Sequence, residues 1–189
     1  MHNRKPMPAH ARQVFKGEIF EVWQWEQRLY DGSLALFERL KRTDTTNVIA
    51  TVEDKILLQT QEQPDTIGTF VSLPGGQCER GEDALTGAKR ELVEETGYSS
   101  MDWTLLCEED PVWKIEWTVH TYIARNCVYV HEPRLDAGEK IDTRLVSFDE
   151  FLALATHGDF GYRSLYSMMV RASYDPIERN KLSTAIFGV

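Results

Sequence analysis

From Gly17 onward, apolar and polar residues mix with a strand-like period. Ile19, Val22 and Trp25 sit among polar partners, Tyr30-Asp31-Gly32-Ser33 carries a turn signal, and Leu34, Leu36 and Leu40 share a face with charged Glu38. This predicts a β-hairpin. Residues 1 to 15 show no clear period and read as a loose arm. Asn47–Val52 is a β-branched run, Glu53-Asp54 a turn, Lys55–Gln59 a returning strand, and Thr66–Leu73 another strand ended by Pro74-Gly75-Gly76. The pattern then becomes helical from Asp83 to Thr96, and Gly97 stops it. Trp103–Glu108, Trp113–Ala124 and Cys127–Val130 read as strands. Ser147 caps a helix carrying Phe151, Leu152 and Leu154, and a last helix is expected over Tyr162–Ala172, before Asp175-Pro176.

No repeat is visible. Strands with helices inserted between them in one compact unit predict an α/β or α+β sandwich. The expected organisation is an arm (1–15) and one domain (16–189). The domain divides into a hairpin (16–45), a core (46–155) and a C-terminal helix with tail (156–189).

Composition narrows the function. The 189 residues are 42 % apolar and 27 % charged, which fits an ordinary globular protein and excludes collagen or low complexity. No apolar run approaches the roughly 20 residues that span a bilayer. Met1 to Arg12 lacks the apolar segment of a secretory signal, and Cys78, Cys107 and Cys127 form no CxxC pair. A reduced, cytoplasmic compartment is expected. The net charge is −9, and the first 50 residues carry 8 Lys/Arg against 6 Asp/Glu, so the acid excess lies downstream. Such a surface disfavours nucleic acid and anionic membranes as partners. A small anionic substrate remains compatible if metal cations stand between it and the protein.

The informative stretch is Gly76 to Tyr98. Asp83 is placed to cap the helix, and Leu85, Ala88 and Leu92 form one apolar stripe. Glu91, Glu94 and Glu95 form a neighbouring stripe at i, i+3 and i+4. Like charges at these spacings repel, and acids in the last helical turn oppose the helix dipole. Carboxylates placed against that cost point to a cation, and hard cations such as Mg²⁺ take oxygen ligands while leaving room for substrate phosphates. The preceding Leu73-Pro74-Gly75-Gly76-Gln77 can turn a strand sharply and present backbone groups to the same place.

The segment resembles the Nudix box, G-x5-E-x7-R-E-U-x-E-E-x-G-U, where U is bulky and apolar. Gly76, Glu82, Arg90, Glu91, Glu94, Glu95 and Gly97 match every fixed position, Leu92 fits the first U, and Tyr98 fits the last as an aromatic. The flanking strands extend the resemblance over Phe15 to Ala155. It implies an α/β/α sandwich around a mixed sheet, here with an N-terminal hairpin extension. It also implies hydrolysis of nucleoside diphosphates linked to another moiety, with two or more Mg²⁺ or Mn²⁺ ions.

The resemblance assigns Glu91 and Glu95 as metal ligands, Glu94 as a ligand or holder of water, and the Gly75 carbonyl as a further ligand. Arg90 and Glu82 would orient the glutamates. The general base stays open between Glu94 and Glu139, the latter in the loop Leu135–Asp142. The hairpin resembles that of the ADP-ribose and nucleotide-sugar branch, where it builds a homodimer. The chain departs from that branch: Gln61-Glu62-Gln63 lacks an expected arginine, and Ser72-Leu73-Pro74-Gly75-Gly76 replaces Glu-x-Pro-Ala-Gly. Gly76, Arg39 in a basic cluster with Lys41 and Arg42, and Trp113 beside Pro111 are candidate substrate contacts. The five histidines show no metal-ligand spacing. Alternative readings are a nucleoside triphosphate pyrophosphatase that clears damaged nucleotides, or a non-catalytic nucleotide sensor.

Overall fold

The computed structural model describes residues 5–135, 137–156, 160 and 163–188, the side chains of Arg163 and Ser164 excepted. The chain opens with three antiparallel strands, β1 (Arg12–Lys16), β2 (Glu21–Arg28) and β3 (Leu34–Lys41). The β2–β3 hairpin turns where expected: Asp31 Oδ1 accepts from Ser33 N at 2.9 Å, and Gly32 has φ +88°. Strand β1 corrects the loose arm, because Arg12, Gln13 and Phe15 pair with β2. Every β1 side chain is exposed, so burial left no pattern to read.

Next come β4 (Thr45–Val52), β5 (Lys55–Glu62), β6 (Phe70–Ser72), α1 (Ala84–Thr96), β7 (Tyr98–Ser99) and β8 (Asp102–Glu109). The run expected as one strand over Trp113–Ala124 is two, β9 (Ile115–Glu116) and β10 (Val119–Arg125), in different sheets. After β11 (Val128–Tyr129), the loop expected to extend to Asp142 instead becomes a strand at Lys140, β12 (Lys140–Val146). Helix α2 (Phe148–Ala153) starts at Ser147, whose side chain forms a reciprocal cap with Glu150. A 3₁₀ turn (Leu154–Thr156) leads towards α3 (Arg163–Tyr174). Tyr162, the expected first residue of that helix, and His157 lie outside the described residues. Asp175-Pro176 opens a further helix, α4 (Pro176–Phe187), where a tail was expected.

The central sheet is mixed, in the order β12-β5-β4-β10-β8, with β10 parallel to β4 and the other pairs antiparallel. The hairpin sheet has the order β1-β2-β3-β9. Alternation along β4 divides its side chains between two covers. Val48 and Ala50 join Leu57, Ala88 and Leu92 under α1. Ile49 joins Ile56, Leu58 and Ile123 under α2, α3 and α4, with Phe151, Leu165, Met169 and Ile186. The result is the expected α/β/α sandwich, with the C-terminal helices inside its core.

One irregularity builds the site. Strands β4 and β5 pair only at Thr51–Ile56 and Val52–Lys55, then diverge. Strand β6 pairs with the far end of β5 through Phe70–Ser72. The chain after β6 closes against β4: Val48 N donates to Pro74 O at 2.8 Å, and Thr46 N to Gly76 O at 2.9 Å.

Candidate active site

Gly75 stands at the centre of that closure with φ +143°. A Cβ there would lie 2.0 Å from Thr46 O, so only glycine passes. The carbonyls of Pro74 and Gly76 accept from β4. The Gly75 carbonyl between them accepts no hydrogen bond among the described residues, which leaves it available to a cation. Its N–H donates to Glu95 Oε2 at 2.8 Å. At Gly76 a Cβ would stand 2.6 Å from Glu91 Oε1, so the backbone presses directly on that carboxylate.

Helix α1 brings the glutamates to this loop. Asp83 caps it by accepting from Thr86 N, and Gly97 ends it in the left-handed conformation. Ala88 and Leu92 face the sheet, which turns Glu91, Glu94 and Glu95 towards the Gly75 loop. Glu95 is buried, with Oε2 also accepting from Gln59 Nε2 at 3.0 Å. Burial pushes its carboxyl up to about 8, against the hydrogen bonds from Gln59 and Gly75. Burial also raises Glu91.

Arg90 holds the opposite side. Its Nε and Nη2 grip Glu82, each at 3.1 Å, while Nη1 reaches Glu91 Oε1 and Glu94 Oε2, both at 3.0 Å. Nη2 also donates to Gln77 O at 3.2 Å. These bonds engage the whole guanidinium and hold Glu82 below the usual carboxylate range. Nη1 thus bridges Glu91 and Glu94. Among the described residues, no group of three or more His, Cys, Asp or Glu is placed to hold a metal ion as it stands.

A cleft of about 350 Å³ opens over the glutamates, with Gly75 and Gly76 on its floor. Glu139, from the loop before β12, joins it, and its charge raises both Glu91 and Glu95. The structure therefore brings together Gly75, Gly76, Arg90, Glu91, Glu94, Glu95 and Glu139, with Glu82 behind Arg90.

Arg39 and Trp113 stand elsewhere. Arg39 lies over the Trp25 ring on the hairpin sheet, near Glu116, and Trp113 is 64 % exposed between β8 and β9. Neither lines the cleft. Lys41 and Arg42 instead border cavities beside the hairpin. Buried Cys78 has its thiol pushed up to about 11, which makes it a poor nucleophile.

The sequence reading missed two groups. Gln59 and Gln61 share one face of β5, where they bond each other and Ser72 beneath Glu95. Their i, i+2 spacing, directly after three apolar residues, was the available signal. Arg134 lines the cleft from the loop after β11.

Residues 41–167 match the model of the NUDIX domain. The chain belongs to the Nudix family. Over 146 residues this Nudix chain is 31 % identical to the methanol dehydrogenase activator of Bacillus methanolicus and 30 % identical to the ADP-ribose pyrophosphatase of Bacillus subtilis (strain 168). Each alignment covers 75 % of this chain and 78 % of the relative. The crystal structure of an ADP compounds hydrolase superposes with a TM-score of 0.70, covering 89 % of this chain and 93 % of its own, at 19 % identity. That likeness concerns the fold. No helix among the described residues is long and apolar enough to cross a membrane.

Proposed function

We propose that this Nudix pyrophosphohydrolase cleaves the pyrophosphate linkage of ADP-ribose or a related nucleotide sugar, with two or more Mg²⁺ or Mn²⁺ ions bound in the α1 cleft. The observation that carries this reading is the convergence of three box glutamates, Gly75, Gly76 and Glu139 on one cleft. The relationship to an ADP-ribose pyrophosphatase, at 30 % identity over 75 % of this chain, supports the substrate class.

The donor set fits hard cations. Glu91, Glu95 and the Gly75 carbonyl are the ligands in this reading, with Glu94 as ligand or holder of water. All are oxygen donors, and the buried Glu95 carboxyl has no ion-pair partner among the described residues. Bound there, a divalent cation supplies charge neutralisation on the phosphate and acidification of water. The protein's own groups do the rest. Gly75 N and Gln59 hold Oε2 of Glu95, a residue that lines the cleft, and Oε1 accepts no hydrogen bond among the described residues. Arg90 and Glu82 set the positions of Glu91 and Glu94. Glu139 takes the proton of the attacking water, with Glu94 as the competing base.

Exposed Val14, Phe15, Leu34 and Leu36 leave apolar surface on the hairpin sheet, which supports a homodimer built through it. Residues 16–189 act as one unit in this reading, and the compartment is cytoplasmic. The test is phosphate release with Mg²⁺, coupled to a phosphatase, across ADP-ribose, other nucleotide sugars, NADH, dinucleoside polyphosphates and oxidised nucleoside triphosphates. Preference for ADP-ribose or a nucleotide sugar is expected. Preference for oxidised triphosphates, or binding without turnover, overturns the reading.

A further inference from the structure

The cleft is unbalanced in charge. Five carboxylates line it, those of Glu79, Glu91, Glu94, Glu95 and Glu139, against two guanidiniums, those of Arg90 and Arg134. Arg90 is engaged by Glu82, Glu91, Glu94 and the Gln77 carbonyl. The Arg134 side chain makes no hydrogen bond or ion pair among the described residues. A guanidinium that lines the cleft with these carboxylates, paired with no described residue, offers its donors to a ligand.

Arg134 is nevertheless well placed. Its backbone N–H donates to Glu94 O at 2.6 Å, and Val130 N donates to Gly97 O at 2.8 Å. Two main-chain bonds thus fasten the 130–134 segment to the last turn of α1, the turn that carries Glu94 and Glu95. The root of the Arg134 side chain is fixed against the glutamate helix, while the residue itself is exposed to the cleft.

We infer that Arg134 is the anion-gripping residue of this cleft, its guanidinium binding phosphoryl oxygens of the substrate that face away from the box glutamates. The inference rests on the proposed function for its substrate class. A pyrophosphate diester carries two negative charges, and cations held by the box glutamates would screen one flank of it. The other flank needs a donor from the protein, and the planar guanidinium fork matches phosphoryl oxygens in pairs. Arg134 contacts substrate and leaves the cations to the glutamates.

The experiment compares wild type, R134A and R134K by calorimetric binding of imidodiphosphate, a non-cleavable pyrophosphate analogue, at saturating Mn²⁺. Mn²⁺ affinity is measured separately by electron paramagnetic resonance. R134A is expected to weaken imidodiphosphate roughly 10- to 100-fold, as loss of a charge-assisted contact requires. R134K is expected to recover part of that loss, and Mn²⁺ affinity to stay within about 2-fold, because the site's ligands are untouched. Unchanged analogue binding in R134A, or an equal loss of Mn²⁺ affinity, overturns the inference. The substrate panel is read independently. A wild type that binds imidodiphosphate but turns over no ADP-ribose or nucleotide sugar overturns the functional reading while the Arg134 contrast still stands or falls by itself.

Discussion

Gln59 and Glu95 meet side chain to side chain beneath the cleft, with Gln59 Nε2 donating to Glu95 Oε2 at 3.0 Å. The amide cannot flip without loss, because its carbonyl oxygen already accepts from Gln61 Nε2 at 2.8 Å and from Ser72 Oγ at 3.1 Å. The carboxylate is therefore held by a donor whose own orientation is fixed by two others. Q59L removes the donor and leaves Oε2 with the Gly75 N–H alone. Mn²⁺ affinity is expected to fall about 10- to 100-fold, the usual effect of losing a partner behind a ligand. A Mn²⁺ titration checks this, and Q59L with wild-type affinity refutes it.

The raised Glu95 carboxyl makes metal-free stability depend on pH. The folded group, at about 8, holds its proton more tightly than the unfolded group, near 4.5. Its stabilising contribution is complete below about 4.5 and is lost as pH rises through 8. Glu91 shifts in the same direction. So does His120, raised chiefly by its hydrogen bond to Asp44. The Tm in EDTA is expected to fall from pH 5 to pH 8, and E95Q to flatten that slope without abolishing it. Saturating Mg²⁺ is expected to raise Tm more at pH 8 than at pH 5, since the proton competes less there. Differential scanning calorimetry at both pH values decides; an E95Q slope equal to wild type counts against the assignment.

Replacing the general base separates chemistry from cation binding. E139Q is expected to lower kcat by about 10²- to 10⁴-fold, the range typical of a lost acid–base group. Mn²⁺ affinity is expected to change little. The same pattern in E94Q, with E139Q active, transfers the role to Glu94. Steady-state kinetics beside Mn²⁺ titration distinguish the two.

G75A tests the closure of the loop on β4. A side chain at φ +143° costs about 1–3 kcal/mol in strain. The contact with Thr46 O adds to it. G32A is the control, since Gly32 also has positive φ but no atom within 4 Å of an added Cβ. Urea denaturation is expected to rank wild type, G32A and G75A in falling stability. A G75A midpoint above that of G32A contradicts the clash.

The chemistry was legible where it is local. The Asp83 cap, the apolar stripe of α1, the Gly97 stop and the box glutamates all follow from spacing within one helix. What escaped was set by tertiary contacts. Strand β12 is mostly exposed, so Lys140–Val146 shows no alternation to read. Asp175-Pro176 resembles a helix stop, yet Asp175 accepts from Ile177 N and Pro176 occupies the first turn, where its missing N–H costs nothing. Gln59 reads from sequence as the end of a strand and Gln61 as part of the Gln61-Glu62-Gln63 departure; β6 and α1 close over the face the two share. Arg134 could not be placed because its loop is defined by bonds to the end of a helix some forty residues earlier.

The splitting of the 113–124 run has a mechanical consequence. Strand β3 leads directly into β4, as β9 leads into β10, and each pair of partners is parallel. The two crossings run side by side from one sheet to the other and stay laced throughout. Leu40 N donates to Lys114 O, Arg42 N to Glu116 O, Thr45 N to Thr118 O, and Thr118 N to Asp44 Oδ1. The hairpin is thus carried on a two-ply strap rather than a single-chain swivel. Twisting it about one ply must shear the hydrogen bonds to the other, so the joint resists torsion. A load applied to the hairpin is delivered to β4, the strand that backs the Gly75 loop.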